Sequence, residues 1–191
     1  MRFASAFVLA LAVTSLANAA QILTATFTDL GGGKQAAVIA VGDGSNTGSW
    51  AINLTVTGAA GSTIEQVAAF GGAVNVHKET DANTYQSIVG SGYTKDLDTW
   101  YYDSIFTGTL TQGVTASANL FKVHVGTGAG VNWGTVNVMH VVFTGSALDY
   151  TASIGRASQA YNVAGTFQVP EPSSLAALAL AAAAVIRGRR R

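Results

Sequence analysis

The densest group of side chains able to do chemistry is "KDLDTWYYD", Lys95 to Asp103, where Asp96, Asp98 and Asp103 flank Trp100, Tyr101 and Tyr102. Aromatic rings stack on pyranose faces and carboxylates accept hydroxyl hydrogen bonds, so this pattern, with Tyr93 beside it, has the composition of a carbohydrate contact. A glycosidase would use the same residue types, but its two acids must face each other across about 5–10 Å, a distance that sequence spacing does not set. Alternate members of Trp100 to Phe106 feeding the core of a strand are the competing use of the same rings.

Other polar groupings are weaker. "GDGSNTG", Gly42 to Gly48, offers Asp43, Ser45 and Asn46 as oxygen ligands. Neither it nor the Asp96–Asp103 stretch has the twelve-residue spacing of a calcium loop, so solvated turns are the expectation and no cofactor or metal is assigned. His77, His124 and His140 each stand alone on a strand, His77 and His124 on solvent faces and His140 in an apolar run. Unclustered histidines of this kind are bystanders more often than metal ligands. No Gly-x-Ser-x-Gly, His-Glu-x-x-His, P-loop or dinucleotide fingerprint occurs, and the expectation is that the chain is not an enzyme. The absence of cysteine excludes disulfides and thiolate chemistry.

The two ends are specialised. Arg2, the apolar stretch Phe3 to Leu16 and the small-x-small triplet Ala17-Asn18-Ala19 form a signal-peptide pattern, with signal-peptidase cleavage expected after Ala19. At the other end stands "VPEPSSLAALALAAAAVIRGRRR", which holds the only two prolines of the chain, Pro170 and Pro172. Proline fixes φ near −65° and disfavours helix at the residue before it, so Pro170-Glu171-Pro172 reads as an extended, accessible peptide. Leu175 to Ile186 would reach only about 18 Å as a helix, against the roughly 30 Å of a bilayer core. Leu175, Leu178, Leu180, Val185 and Ile186 are its anchoring side chains, and Arg187, Arg189, Arg190 and Arg191 pin its far end to the cytoplasmic side, their long stems snorkelling to make up the short span.

A Pro-Glu-Pro motif, a short apolar run and a terminal arginine cluster, in that order, resemble the PEP-CTERM sorting signal, a tail also labelled an ice-binding protein C-terminal domain. The resemblance covers about Val169 to Arg191. It implies recognition of Pro170, Glu171 and Pro172 by an exosortase of the inner membrane, with Leu175 to Ile186 as a transient membrane anchor and the arginines as the cytoplasmic cluster. The alanine-rich run and Gly188 depart from a strong anchor. Thr24/Thr26, Thr55/Thr57 and Thr109/Thr111 supply Thr-x-Thr pairs but no regular repeat, so outward strand threonines explain them better than an ice face does.

Between the ends lies a passenger, residues 20–168, of a size for one domain with its own core. It carries five basic residues against nine acidic ones, a net −4. A weakly acidic surface without a basic patch argues against nucleic-acid partners. Runs rich in Thr, Val, Ile and aromatics recur between glycine-bearing turns, the pattern of an all-β, antiparallel β-sandwich of jelly-roll or immunoglobulin-like type. Strands are expected at Gln21–Thr28, Gln35–Val41, Ser49–Thr57, Ala73–Lys78, Tyr101–Thr111, Ala118–Gly126, Gly134–Phe143, Asp149–Ile154 and Val163–Val169. In "SWAINLTVTG", Trp50, Ile52, Leu54 and Val56 share one face; in "NLFKVHVG", Phe121, Val123 and Val125 point inward and Lys122 and His124 outward. "TVNVMHVVF" is apolar on both parities, the mark of a central strand. Ser62-x-x-Glu65 predicts a short helix ending at Gly71-Gly72. Thr80 to Trp100 reads as a long loop, with or without a short strand at Tyr85–Val89. The function expected is an exported cell-surface or extracellular-matrix component, structural or adhesive in a biofilm or exopolysaccharide. A carbohydrate-binding module using Trp100 to Asp103 is the alternative, and a glycoside-active enzyme stands behind it.

Overall fold

The computed structural model describes residues 22–42, 50–69, 74–103, 113–117, 119–126, 135–156 and 159–170. The signal peptide with Ala17 and Ala19, the "GDGSNTG" loop, and everything from Glu171 onward lie outside these residues.

Period-two alternation and glycine turns dictate most of what is built. β1 (Leu23–Gly31) and β2 (Lys34–Gly42) form a hairpin whose turn is made by Gly31, Gly32 and Gly33, all at positive φ. Asp29 Oδ1 accepts the Gly31 N–H at 2.8 Å and closes it. β3 (Trp50–Gly58) buries Ile52, Leu54 and Val56 on one face, as its alternation requires. Short pairings follow: β4 (Thr63–Ile64), β5 (Ala68–Ala69) and β6 (Val74–Asn75). Then come α1 (Glu79–Ser87), a 3₁₀ turn at Lys95–Leu97 and β7 (Trp100–Tyr101). The chain closes with β8 (Gly113–Ser117), β9 (Leu120–Gly126), β10 (Thr135–Thr144), β11 (Ala147–Arg156) and β12 (Gln159–Gln168).

These strands make two five-stranded antiparallel sheets. One runs β1-β2-β10-β4, with β7 also pairing to β10; the other runs β12-β11-β3-β9-β8. One hydrophobic cluster draws on both, including Ile39, Val41, Val141 and Phe143 from the first and Ile52, Leu54, Phe121, Val123 and Ile154 from the second. β10 is the central strand its sequence predicts: Val138 through Phe143 are all buried. The Gly145-Ser146 turn carries the chain from β10 in one sheet to β11 in the other.

Three expectations are corrected. Ser62-x-x-Glu65 does not start a helix: Glu65 N donates to Val142 O at 2.7 Å, and β4 pairs with β10 instead. The edge of β10 needs hydrogen-bond partners, and that need outweighs the local capping signal. Thr80–Trp100 is not a bare loop with a strand at Tyr85–Val89 but holds α1 and the 3₁₀ turn, with Ile88 and Val89 exposed beyond the helix. Of Ala73–Lys78, only Val74 and Asn75 form a strand, β6, among the described residues; Tyr101–Thr111 is described as far as Asp103, with Tyr101 in β7, and the rest of it lies outside the described residues. Gly113–Ser117, which no expected strand covers, is β8 and pairs along its whole length with β9.

Candidate functional site

The second sheet delivers the chain to the sorting motif without slack. β12 pairs with β11 over all ten of its residues, from Arg156↔Gln159 to Ala147↔Gln168. Near its end Phe167 is buried and stacks on Tyr150, ring centroids 4.2 Å apart. One residue further, Val169 N donates to Ser146 O at 2.8 Å. Pro170 is half-buried at the same pole. Glu171, Pro172, the apolar run and the arginines are outside the described residues.

The aromatic-acid stretch has a different role from the one its composition suggests. Asp98 is fully buried: Oδ1 accepts N–H groups from Val67 at 2.7 Å and Thr99 at 2.8 Å, and Oδ2 accepts the Tyr93 hydroxyl at 2.8 Å. Burial pushes its carboxyl up to about 6, and the three hydrogen bonds pull back against that rise. Burial and the neighbouring Asp98 push the Tyr93 phenol up as well. Trp100 lies over His140, centroids 4.9 Å apart and planes 16° off parallel, and sends its indole N–H to Lys95 O. His140 Nδ1 is 3.0 Å from Asp98 O; a carbonyl only accepts, which assigns the proton to Nδ1. Burial holds this imidazole below its ordinary range. Thr99 Oγ1 accepts the Val142 N–H at 2.9 Å.

A sugar platform needs an open ring face, and Trp100 (4 % exposed) and Tyr101 (1 %) have none. Together with Asp98 they are removed from the expected carbohydrate contact: Tyr101 joins the main core between the sheets, and Trp100 forms, with Ala69, Val76, Ala82 and Tyr93, a second small core beside α1. Tyr102 is half-buried with its ring edge-on to Trp100 at 4.8 Å. Asp103 accepts both Thr80 N at 2.9 Å and Thr80 Oγ1 at 2.5 Å, capping α1 from outside the helix. These acids do not converge on a cation. Among the described residues no group of three or more His, Cys, Asp or Glu is placed to hold a metal ion.

Two concavities among the described residues are of ligand size. One, of about 480 Å³, is a shallow trough on the outer face of the second sheet, lined by Asn53, Thr55, Lys122, Thr151 and Asn162 among others. The other, of about 410 Å³, lies between β4, β6 and β8 and is lined by Gln66 and His77 with Thr63, Glu65, Asn75 and Ser117. His77 corrects its expected solvent position: its ring is half-buried and tilted against Phe121 at 6.1 Å, and burial lowers its pKa. His124 is exposed as expected. Gln66 was hidden in sequence by the apparent helix start at Ser62, and no spacing links it to His77; only the fold makes them neighbours around one hollow.

Residues 168–191 match the family of the PEP-CTERM protein-sorting motif. The motif implies export, a membrane-anchored precursor bound for the cell surface, and an exosortase as processing partner. None of the curated proteins matches the chain. Among solved structures, the crystal structure of the yeast GGA1 GAE domain is similar at a TM-score of 0.29 and 12% identity, covering 81% of this chain and 96% of that one. Among the described residues no helix is long and apolar enough to cross a membrane.

Proposed function

We propose that the chain is the precursor of a non-enzymatic surface component, structural or adhesive in an extracellular matrix or biofilm. Signal peptidase cuts after Ala19. Leu175 to Ile186 then holds the precursor in the inner membrane with Arg187 and Arg189 to Arg191 inside, and exosortase releases it at Pro170-Glu171-Pro172.

One observation carries this reading: the sorting motif follows directly on β12, the last described strand. Val169 is still hydrogen-bonded to Ser146, and only Pro170 to Ser174 separate it from Leu175. Five residues span at most about 17 Å, so the passenger stands against the membrane on the pole formed by the Gly145-Ser146 turn until it is cut. β1 begins at the opposite pole, since β1 and β12 each run the length of their sheets. Cleavage at Ala19 is therefore placed at the end of the passenger away from the sorting motif. The passenger's described acids support a structural role. Asp98 and Asp103 are spent on backbone groups, and Asp149 accepts the Thr166 hydroxyl at 2.6 Å.

Replacement of Pro170-Glu171-Pro172 by alanines in a host that carries an exosortase tests the assignment by intact mass. The expected product keeps the whole tail and stays with the membrane fraction. A mature mass and surface yield equal to the unaltered protein's would sink it.

A further inference from the structure

The edge of a sheet exposes unpaired backbone, and natural folds blunt it with short strands, charges or irregular register. Most edges of this protein are treated in that way. β4 and β7 lie against β10 for two residues each, β8 is five residues long, and β1 carries Asp29 and a register shift between Asp29 and Gly31. β12 has none of these devices. It pairs with β11 without a bulge over its ten residues, and "QAYNVAGTFQ" contains neither a charged side chain nor a proline.

The peptide groups that β12 presents outward follow from the pairing on its other side. Val169 N donates to Ser146 O in step with the β11 register. Antiparallel ladders alternate, so Tyr161, Val163, Gly165 and Phe167 bond to β11, while Ala160, Asn162, Ala164, Thr166 and Gln168 turn their N–H and C=O groups away from the sheet. The latter residues are exposed, and no described strand lies beyond them.

We propose that β12 is an interface for a second copy of this chain, the two strands pairing edge to edge and antiparallel so that one five-stranded sheet continues into that of its partner. An edge that pairs with itself must match its own sequence about a two-fold axis. With the axis at Ala164, Asn162 comes opposite Thr166 and Ala160 opposite Gln168, so each outward peptide group from 160 to 168 meets another. On the inner face Tyr161 comes opposite Phe167, an aromatic cross-strand pair, and Val163 opposite Gly165. The residue at the axis is small, and no charge of the strand meets its like. A second copy fits this edge better than a charged peptide does, because a neutral strand gives a foreign segment no charge to read. The proposal deepens the surface-component reading and rests on it only for where copies meet.

The test uses the full-length chain in detergent micelles, raised from about 10 μM to about 1 mM to bracket weak specific association. Amide exchange followed by NMR is expected to slow with concentration at Ala160, Asn162, Ala164, Thr166 and Gln168, and to stay constant in Gly113–Ser117 at the opposite edge of the sheet. The natural chain has no cysteine, so one introduced thiol reports on one position. With a short bis-maleimide, Ala164→Cys is expected to couple to its copy about tenfold faster than Thr115→Cys on β8. Ala164→Lys and Ala164→Asp each set like charges opposite one another at the axis, and each is expected to weaken association about tenfold or more at an unchanged melting temperature. Either variant suffices where the other lowers the melting temperature. Exchange that does not depend on concentration would overturn the proposal. So would equal coupling at Ala164→Cys and Thr115→Cys, or association that survives both charges. Pairing is read on the unprocessed chain, so failure here and failure of the sorting assignment are separate results.

Discussion

Tyr93 donates its phenolic hydrogen to Oδ2 of Asp98 at 2.8 Å inside the protein, five residues apart in sequence and joined across the 3₁₀ turn. Oδ1 of the same carboxylate holds Val67 N and Thr99 N. One buried acid thus ties the segment after β4, the 3₁₀ turn and β7 together. The peptide of Asp98 adds His140 through its carbonyl. Three stretches far apart in sequence, at Val67, Tyr93–Thr99 and His140, meet at this residue, and the small core of Trp100, Tyr93 and Ala82 packs beside it.

The first prediction concerns pH. The folded state holds the Asp98 carboxyl at about 6, against an ordinary value of 3.8, so the native protein binds the extra proton between these values. Stability contributed through this group is therefore fully present below about pH 4 and is lost as pH rises through about 6. Asp98→Asn cannot ionise. The stability of the natural protein relative to Asp98→Asn is expected to fall by up to about 3 kcal/mol between pH 4 and pH 8. His77 and His140, both lowered by burial, act in the opposite sense as pH falls below 6.5, but they are present in both proteins and cancel in the difference. Urea unfolding at several pH values measures it. A difference that stays flat with pH would refute the burial of an ionisable acid here.

Asp103→Ala should unfasten α1. Its carboxylate is the cap for Thr80 N, and Lys78 at the helix N-cap makes no side-chain bond. The expected loss is about 1–2 kcal/mol, with faster amide exchange in Glu79–Ser87 than in β10. Equal acceleration in both elements would mean that Asp103 supports the fold globally instead.

Gly145→Ala should be costly for its single added carbon. The residue sits at φ +114°, and a Cβ there would come within 2.8 Å of Ser62 Cα, a backbone atom that has no room to yield. The Ser62 hydroxyl is itself 3.4 Å from Ala147 N, where the chain passes between the sheets. A loss of about 2–4 kcal/mol by denaturant unfolding is expected, and a loss under about 0.5 kcal/mol would show that this turn relaxes freely.

A Gly-Ser-Gly-Ser insertion between Val169 and Pro170 should speed processing. The natural motif abuts a strand end fixed by the Val169–Ser146 hydrogen bond, so a membrane enzyme must work beside the folded body. Pulse-chase of the precursor measures the rate. An unchanged rate would mean that the end of β12 does not limit access.

The long strands of the two sheets were readable because their burial is periodic and local. Ile52, Leu54 and Val56, or Phe121, Val123 and Val125, declare an inner face by alternation alone. The double-sided burial of β10 follows from its unbroken apolar run. α1 was not readable: it buries only Ala82, shows no apolar stripe, and takes its cap from Asp103, which lies 23 residues from Thr80. At Ser62 the local signal pointed the wrong way, because the pairing needs of β10 are invisible from a capping motif.

The sequence by itself determined the C-terminal sorting motif and the β-class of the passenger, since a proline-flanked acid, an apolar run, a basic cluster and a two-residue periodicity all act through neighbours along the chain. Only the tertiary structure decided the fate of the polar and aromatic residues. Asp98 and Trp100, which look like ligand-binding groups in a row, are drawn inside by partners brought from Val67, Tyr93 and His140. Gln66 and His77, which look unrelated, are brought to line one hollow. Burial and pairing of polar groups depend on contacts across the fold, and no local pattern encodes them.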